Sequence, residues 1–206
     1  AGFEIVRPIG SGGMGDVYLG RQVTDHFERD VAIKTFHPTA TVREDLLSDV
    51  AELRSLSQMN LPNIAGFIDG GIHPDIGLFL ITDYVDGQLL LEWCDDRSVT
   101  RDIRLRVFGQ ICEAVQHAHS RLFIHCDIKP SNIMVDENNQ PKLLDFGIAS
   151  AIGDAAKQQP GPRYFTPAYA SPEQVRGADL SIATDVYSLG AVLFELMTLK
   201  RLSDGA

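Results

Sequence analysis

The sequence is short of several things that define common protein classes. It has three cysteines in 206 residues, Cys94, Cys112 and Cys126, an odd and widely spaced set with no CxxC pair. That argues against a disulfide framework or a structural zinc finger and makes a reduced, cytoplasmic setting the default. No run approaches the ~18–20 apolar residues of a membrane span, and no signal peptide opens the chain. Cations are also scarce, 18 Lys and Arg against 28 Asp and Glu, for a net charge of −10. A nucleic-acid surface has to neutralise phosphates with Lys and Arg, so nucleic acid is not expected as the main partner. Nucleotides stay open, because they need only a few placed cations and backbone amides. The remainder is ordinary for a globular protein, with 44% hydrophobic and 22% charged residues. The length allows one sizeable core or two lobes sharing one active site.

What is present is more specific. Gly10-Ser11-Gly12-Gly13-Met14-Gly15 lies between two short apolar-polar segments, Phe3 to Gly10 and Asp16 to Gly20. Two strands joined by a glycine turn are expected. Glycines let backbone N–H groups approach an anion with no Cβ in the way. Alone, G-x-G-x-x-G also fits a plain glycine-rich hairpin. In a dinucleotide-binding fold it would precede a helix, whereas Val17-Tyr18-Leu19 prefers strand, so the loop reads as a lid over phosphates. Asp30 to Phe36 is a third strand, with Val31, Ile33 and Thr35 on one face and Ala32, Lys34 and Phe36 on the other. A lysine in such a strand ordinarily snorkels to solvent. Thr41 to Met59 carries Leu46, Val50, Leu53 and Leu56 at helical spacing and ends at Asn60-Leu61-Pro62-Asn63. Ile64 to Gly71 and Leu78 to Val85 read as two more strands around a turn at His73-Pro74-Asp75.

From Leu89 the pattern is helical, with Ile103, Val107, Ile111, Val115 and Ala118 as a stripe. Arg97, Arg101, Arg104 and Arg106 are most simply its solvated flank. His117 and His119 do not share a helix face and His125 lies beyond the helix, which argues against a three-histidine metal site. His125 is expected to hydrogen-bond backbone around the loop that follows.

That loop is His125-Cys126-Asp127-Ile128-Lys129-Pro130-Ser131-Asn132. Asp127 can accept a proton from a hydroxyl, and Lys129 is a mobile cation for a phosphoryl group. Pro130 prevents a regular helix between Asp127 and Asn132. Ile133-Met134-Val135 and Pro141-Lys142-Leu143-Leu144 predict a hairpin through Glu137-Asn138-Asn139, which delivers Asp145-Phe146-Gly147. Asn132 and Asp145 offer the hard oxygens that Mg²⁺ takes.

Together these segments resemble the serine/threonine protein kinases, in the form found in bacterial members of the eukaryotic-like family. The resemblance rests on G-S-G-G-M-G, on Val31-Ala32-Ile33-Lys34, on Asp127 with K-P-x-N at Lys129 to Asn132, on Asp145-Phe146-Gly147, and on Thr166-Pro167-Ala168-Tyr169-Ala170-Ser171-Pro172-Glu173. It implies an α+β, two-lobe fold. An N-terminal, ATP-grasping lobe of a small antiparallel sheet plus helix would span 1–83, and a mainly helical C-terminal lobe 84–206. It implies ATP with Mg²⁺ or Mn²⁺ as cofactors. Ile9, Gly10, Ser11, Gly12, Gly13, Gly15, Val17 and Ala32 would cover the nucleotide, and Thr82, Asp83 and Val85 would line the hinge, with Thr82 as gatekeeper. Lys34 would fix the inner phosphates, held by Glu52, or by Asp49 if an insertion precedes Asn60. Asn132 and Asp145 would hold the metal, Lys129 would steady the γ-phosphoryl group, and Asp127 would act as base. Thr166 would bond Asp127 and Lys129, and Asp185 would bond the backbone of the catalytic loop.

Three positions depart from the family pattern. Cys126 stands where arginine is common, so a phosphorylated residue cannot dock there by charge. Phe165 replaces a glycine, and Ser171 replaces an alanine. The helix opened by Asp185 is apolar at Val186, Leu189, Val192, Leu193 and Leu196 and is expected to be buried on several sides. The lobe reads as C-terminally incomplete, lacking the family's last helices, and a membrane anchor outside this window is compatible with the sequence. The activity implied is transfer of the γ-phosphoryl group of MgATP to Ser or Thr of protein substrates, with autophosphorylation allowed and Ser150, Tyr164, Thr166 and Tyr169 as acceptor candidates. The alternatives are a nucleotide-binding pseudokinase or scaffold and a kinase of small molecules, the latter disfavoured by Lys129.

Overall fold

The computed structural model describes residues 2–12, 15–37, 63–96, 99–145 and 166–202. The chain divides into two compact units: Ala1–Asn60 with Ala65–Val85, and Leu61–Ile64 with Asp86–Ala206. The expected helix at 41–59, with Glu52 and Asp49, lies outside the described residues.

The first unit is an antiparallel five-stranded sheet. Its strands are β1 (Gly2–Gly12), β2 (Gly15–Val23), β3 (Glu28–Phe36), β4 (Phe67–His73) and β5 (Gly77–Asp83), ordered β1-β2-β3-β5-β4. β1 and β2 are longer than the sequence suggests and pair as far as Gly12 opposite Gly15. The glycine-rich stretch therefore joins two strands. The register slips between Ile5 and Arg7 and between Pro8 and Gly10. Alternation sorts side chains as expected. Val31, Ile33 and Ile81 are buried and pack with Phe3, Tyr18, Ile68 and Phe79. Fully burying side chains of this size contributes about 1.5–3 kcal/mol each, which fixes the sheet's register because a one-residue slip would turn them outward.

The second unit starts with β6 (Gln88–Leu89) and a short helix α1 (Leu90–Cys94), followed by α2 (Arg101–His119). Thr100 caps α2 by accepting the Ile103 N–H at 3.4 Å. Its stripe of Val107, Ile111, Val115 and Ala118 is buried. β7 (Ile133–Val135) and β8 (Pro141–Leu143) form a hairpin, and the sheet order is β6-β7-β8. Helix α3 (Pro172–Arg176) and helix α4 (Ile182–Thr198) follow, and α4 packs against α2.

Two expectations are corrected. Arg104 is not a solvated flank: its guanidinium donates to the Leu196 carbonyl at 3.1 Å and the Cys94 carbonyl at 2.9 Å. Both carbonyls lie in the last turn of their helices, where no intrahelical N–H reaches them, and the arginine supplies the missing donors. Helix α4 is buried on one side only. Leu189, Val192 and Leu196 are inside, whereas Val186 is 60% and Ile182 53% exposed. Its apolar composition reflects more than the face it turns to the core.

Candidate active site

The loop after α2 is shaped by one buried carboxylate. Asp185, on the first turn of α4, accepts the His125 N–H at 2.8 Å through Oδ2 and the Cys126 N–H at 2.8 Å through Oδ1. His119 Nε2 lies 2.7 Å from Oδ2. Ser181 begins the helix with a capping box to Thr184, which places Asp185 one residue further in. Cys126 is thereby held in the left-handed region, with φ 66°. His125 is fully buried. Its Nε2 meets the Leu144 carbonyl at 3.0 Å, and its Nδ1 accepts the Asp127 N–H at 3.2 Å. A carbonyl only accepts and an amide N–H only donates, so the ring proton sits on Nε2.

This scaffold gathers four of the expected residues. Lys129 Nζ lies 2.7 Å from Asp127 Oδ2, with the two side chains 18% and 11% exposed. Lys129 also donates to Thr166 Oγ1 at 2.9 Å, and the Thr166 hydroxyl donates to Asp127 Oδ1 at 3.4 Å. Asn132, in a tight turn at Pro130–Asn132, donates through Nδ2 to the Asp127 carbonyl at 2.9 Å and to Asp127 Oδ2 at 3.2 Å. A mostly buried ion pair needs such further bonds to offset desolvation. Asp145 follows β8. The Leu144 N–H donates to the Asn132 carbonyl at 2.8 Å, tying the residue before Asp145 to the turn that carries Asn132. Asp145 itself has φ 57°, in the left-handed region that aspartate enters more readily than most L residues. The residues fit a divalent metal. With Nδ2 of Asn132 turned to Asp127, its Oδ1 is the end left for a cation, and it would join the Asp145 carboxylate as a hard oxygen donor.

In the first unit, the register brings the nucleotide candidates to one sheet face. Val17 lies opposite Lys34, Lys34 opposite Leu80, and Ala32 opposite Thr82, and directly opposed side chains share a face. Lys34 Nζ is 5.5 Å from the centre of the Phe36 ring. Gly10 pairs with Val17, Ser11 with Asp16 and Gly12 with Gly15, while Ile9 sits at the register slip and is 38% exposed. Hydrogen bonds from Ser11 and then from His37 hold the Asp16 carboxyl below its ordinary range. At the end of β5, the Asp83 N–H is committed to the Gly66 carbonyl at 2.9 Å, and its carboxylate accepts the Gly66 N–H at 3.0 Å. Val85 lies two residues beyond β5. Gly13, Glu52, Phe146, Gly147, Ser150, Tyr164 and Phe165 lie outside the described residues.

Several partners were not expected from sequence. Glu173 accepts the Thr184 hydroxyl at 2.9 Å. The Tyr169 hydroxyl donates to Glu195, and Ser188 donates to the Tyr169 carbonyl at 2.9 Å. Gln174 joins Ser171 in a capping box and also donates to the Cys126 carbonyl at 2.7 Å. The S-x-x-Q spacing from Ser171 to Gln174 is a helix-start signature and could have revealed the box, though not the contact 48 residues away in sequence.

Comparison with known proteins gives a consistent picture. The family model described as Protein kinase domain matches residues 3–205. The chain is similar to the serine/threonine-protein kinase PrkC of Bacillus subtilis (strain 168), 36% identical over 205 residues, covering 98% of this chain and 31% of that protein. It is similar to the probable serine/threonine-protein kinase PknB of Lactococcus lactis, 31% identical over 198 residues, with 95% and 31% covered. It is also similar to the serine/threonine-protein kinase PknB of Mycolicibacterium smegmatis, 34% identical over 209 residues, with 95% and 32% covered. The chain thus spans about a third of the length of these relatives.

Proposed function

The chain belongs to the protein kinase domain family, and from that membership we propose that the protein transfers the γ-phosphoryl group of MgATP to Ser or Thr hydroxyls of protein substrates. The observation that carries this reading is the Asp127–Lys129–Thr166 triangle with Asn132 beside it. It supplies an acceptor for a hydroxyl proton and a cation next to it. That the relatives described above are serine/threonine-protein kinases supports the Ser/Thr class.

In this mechanism placement and charge neutralisation do most of the work. Asp127 aligns the incoming hydroxyl and takes its proton as the hydroxyl oxygen bonds to the γ-phosphorus and the bond from that phosphorus to the departing ADP oxygen breaks. Lys129 balances charge on the transferred group, and its bond to Thr166 keeps it beside Asp127. Lys34 pairs with the inner phosphates, and the small Ala32 leaves room for a flat adenine ring over the sheet face it shares with Lys34. The glycines of 10–15 bring backbone N–H groups to the phosphates, with Thr82, Asp83 and Val85 along the hinge. Asn132 and Asp145 would hold Mg²⁺, which would supply positive charge to neutralise the phosphates. On this reading 1–83 is the nucleotide-grasping lobe and 84–206 the substrate lobe, acting in the cytoplasm, and a hydroxyl of the chain itself can serve as acceptor.

The test is Asp127→Asn in the full-length protein, assayed with radiolabelled ATP and a generic protein substrate. Transfer should fall by orders of magnitude with ATP affinity retained. Undiminished turnover overturns the assignment of the base. A wild-type protein that binds MgATP and transfers nothing points instead to a nucleotide-binding scaffold.

A further inference from the structure

Gln174 makes a bond that the mechanism above does not use. The side chain is 5% exposed. Its Oε1 accepts the Ser171 N–H at 2.9 Å, and Ser171 Oγ accepts the Gln174 N–H at 3.3 Å. This box spends Oε1 on helix α3 and leaves the Nε2 protons. One of them goes to the Cys126 carbonyl at 2.7 Å. That carbonyl belongs to the peptide joining Cys126 to Asp127. The other side of the same peptide, the Asp127 N–H, is held by His125 Nδ1 at 3.2 Å. The preceding peptide is held through the Cys126 N–H by Asp185. Both planes flanking the left-handed Cys126 are therefore pinned, one by α4 and one by α3.

A peptide plane held at its oxygen and its nitrogen cannot rotate, and its orientation sets where the Cα–Cβ bond of the next residue points. That residue is Asp127. Gln174 also sits eight positions after Thr166, whose hydroxyl donates to the Asp127 carboxylate. One stretch of chain thus reaches the carboxylate twice, at its tip through Thr166 and at its backbone through Gln174. With a cysteine at 126, no side-chain charge can make this tie, and it runs through the main chain.

We propose that Gln174 is a positioning residue for Asp127, locking the Cys126–Asp127 peptide so that the segment carrying Thr166 and the catalytic carboxylate move as one piece. The proposal rests on the kinase reading for its kinetic consequence but not for its structural one.

The test uses Gln174→Met, which removes both bonds, and Gln174→Glu, which keeps an acceptor for the Ser171 N–H but has no amide to give Cys126. Both are made in the full-length protein. Kinetically, kcat should fall on the order of tenfold or more in each, as expected for a misplaced group, while KM for ATP stays within about twofold. Hydrogen exchange of the Asp127 amide should quicken in both, because the plane that presents it to His125 is no longer held. A kcat at the wild-type level in Gln174→Glu overturns the proposal, since the box alone would then suffice. Unchanged Asp127 exchange in both variants overturns it as well. The exchange measurement needs no turnover, so it remains decisive even if the wild-type protein transfers no phosphoryl group, a result that would overturn the kinase reading alone.

Discussion

Asp185 shows how much can rest on one side chain. Its two oxygens take the N–H groups of His125 and Cys126 and face His119, all at 0% exposure of the carboxylate. Removing it strands buried donors that have no water to turn to. Asp185→Ala should lose about 3 kcal/mol or more of stability, read as a lower urea midpoint, and a midpoint within error of wild type would refute the clamp. Cys94 illustrates the opposite kind of residue. Burial pushes its thiol up to about 11 against a smaller opposing pull from Arg104. Cys112 is shifted in the same direction, again mainly by burial. Since the thiolate is the reactive form, iodoacetamide at pH 8 should leave both unmodified in the native protein and alkylate them after denaturation. Tyr169 is similarly withdrawn. Burial and then the Glu195 hydrogen bond raise its phenol above the ordinary range, and the hydroxyl is already spent on Glu195. Mass spectrometry should therefore find Tyr169 unphosphorylated after incubation with MgATP.

At the scale of elements, two glycines limit what the strands tolerate. A Cβ built on Gly15 would lie 1.8 Å from the Thr35 carbonyl oxygen, and one on Gly87 would lie 2.5 Å from the Val135 carbonyl oxygen. Both obstacles are backbone and cannot swing aside. Gly15→Ala should therefore separate the start of β2 from the end of β3, seen as faster amide exchange there and weaker ATP binding, and unaltered exchange would contradict the packing. Helix α3 adds a pH effect. Glu173 is held below its ordinary 4.5, chiefly by a backbone hydrogen bond and then by the Thr184 hydroxyl. A carboxyl lowered in the folded state contributes stability that is full above its unfolded value and is lost as pH falls through its folded one. Thr184→Ala should shrink that acid-side loss, as measured by urea midpoints between pH 5 and pH 3.

These elements also separate what the sequence discloses from what it hides. Alternation in β3, the stripe Val107 to Ala118 and the hairpin before Asp145 are local periodicities, and local patterns can be read from a single chain. The loop from His125 to Asn132 was legible because its chemistry is concentrated in eight residues. Arg104 misled because a charge between charges resembles a solvated face, and only the ends of α1 and α4 reveal the carbonyls it satisfies. Val186 misled because hydropathy reports what a residue prefers and not which side of α4 has a partner. The left-handed backbone of Cys126 has no local signature either, since Asp185, far along the chain, holds the amides around it.

For the whole molecule, ligand binding offers a test that does not depend on turnover. Anything that binds the native state and not the unfolded chain stabilises it by RT ln(1 + [L]/Kd), about 2.7 kcal/mol at a hundredfold excess over Kd. For a domain of 150–250 residues each kcal/mol moves Tm by roughly 2–4 °C, so saturating MgATP should raise Tm by roughly 5–11 °C. The shift should discriminate among the proposed roles. Asp127→Asn should keep nearly all of it, because the base acts on the hydroxyl and not on the nucleotide. Lys34→Met should lose much of it, since the strand face shared with Val17, Ala32 and Thr82 would no longer carry a cation for the phosphates. Asp145→Ala should lose the part that requires Mg²⁺, so that its shift with ATP is the same with and without EDTA. A wild-type Tm indifferent to MgATP would remove the basis for nucleotide binding. An Asp145→Ala shift that still fell on adding EDTA would reassign the metal to other oxygens.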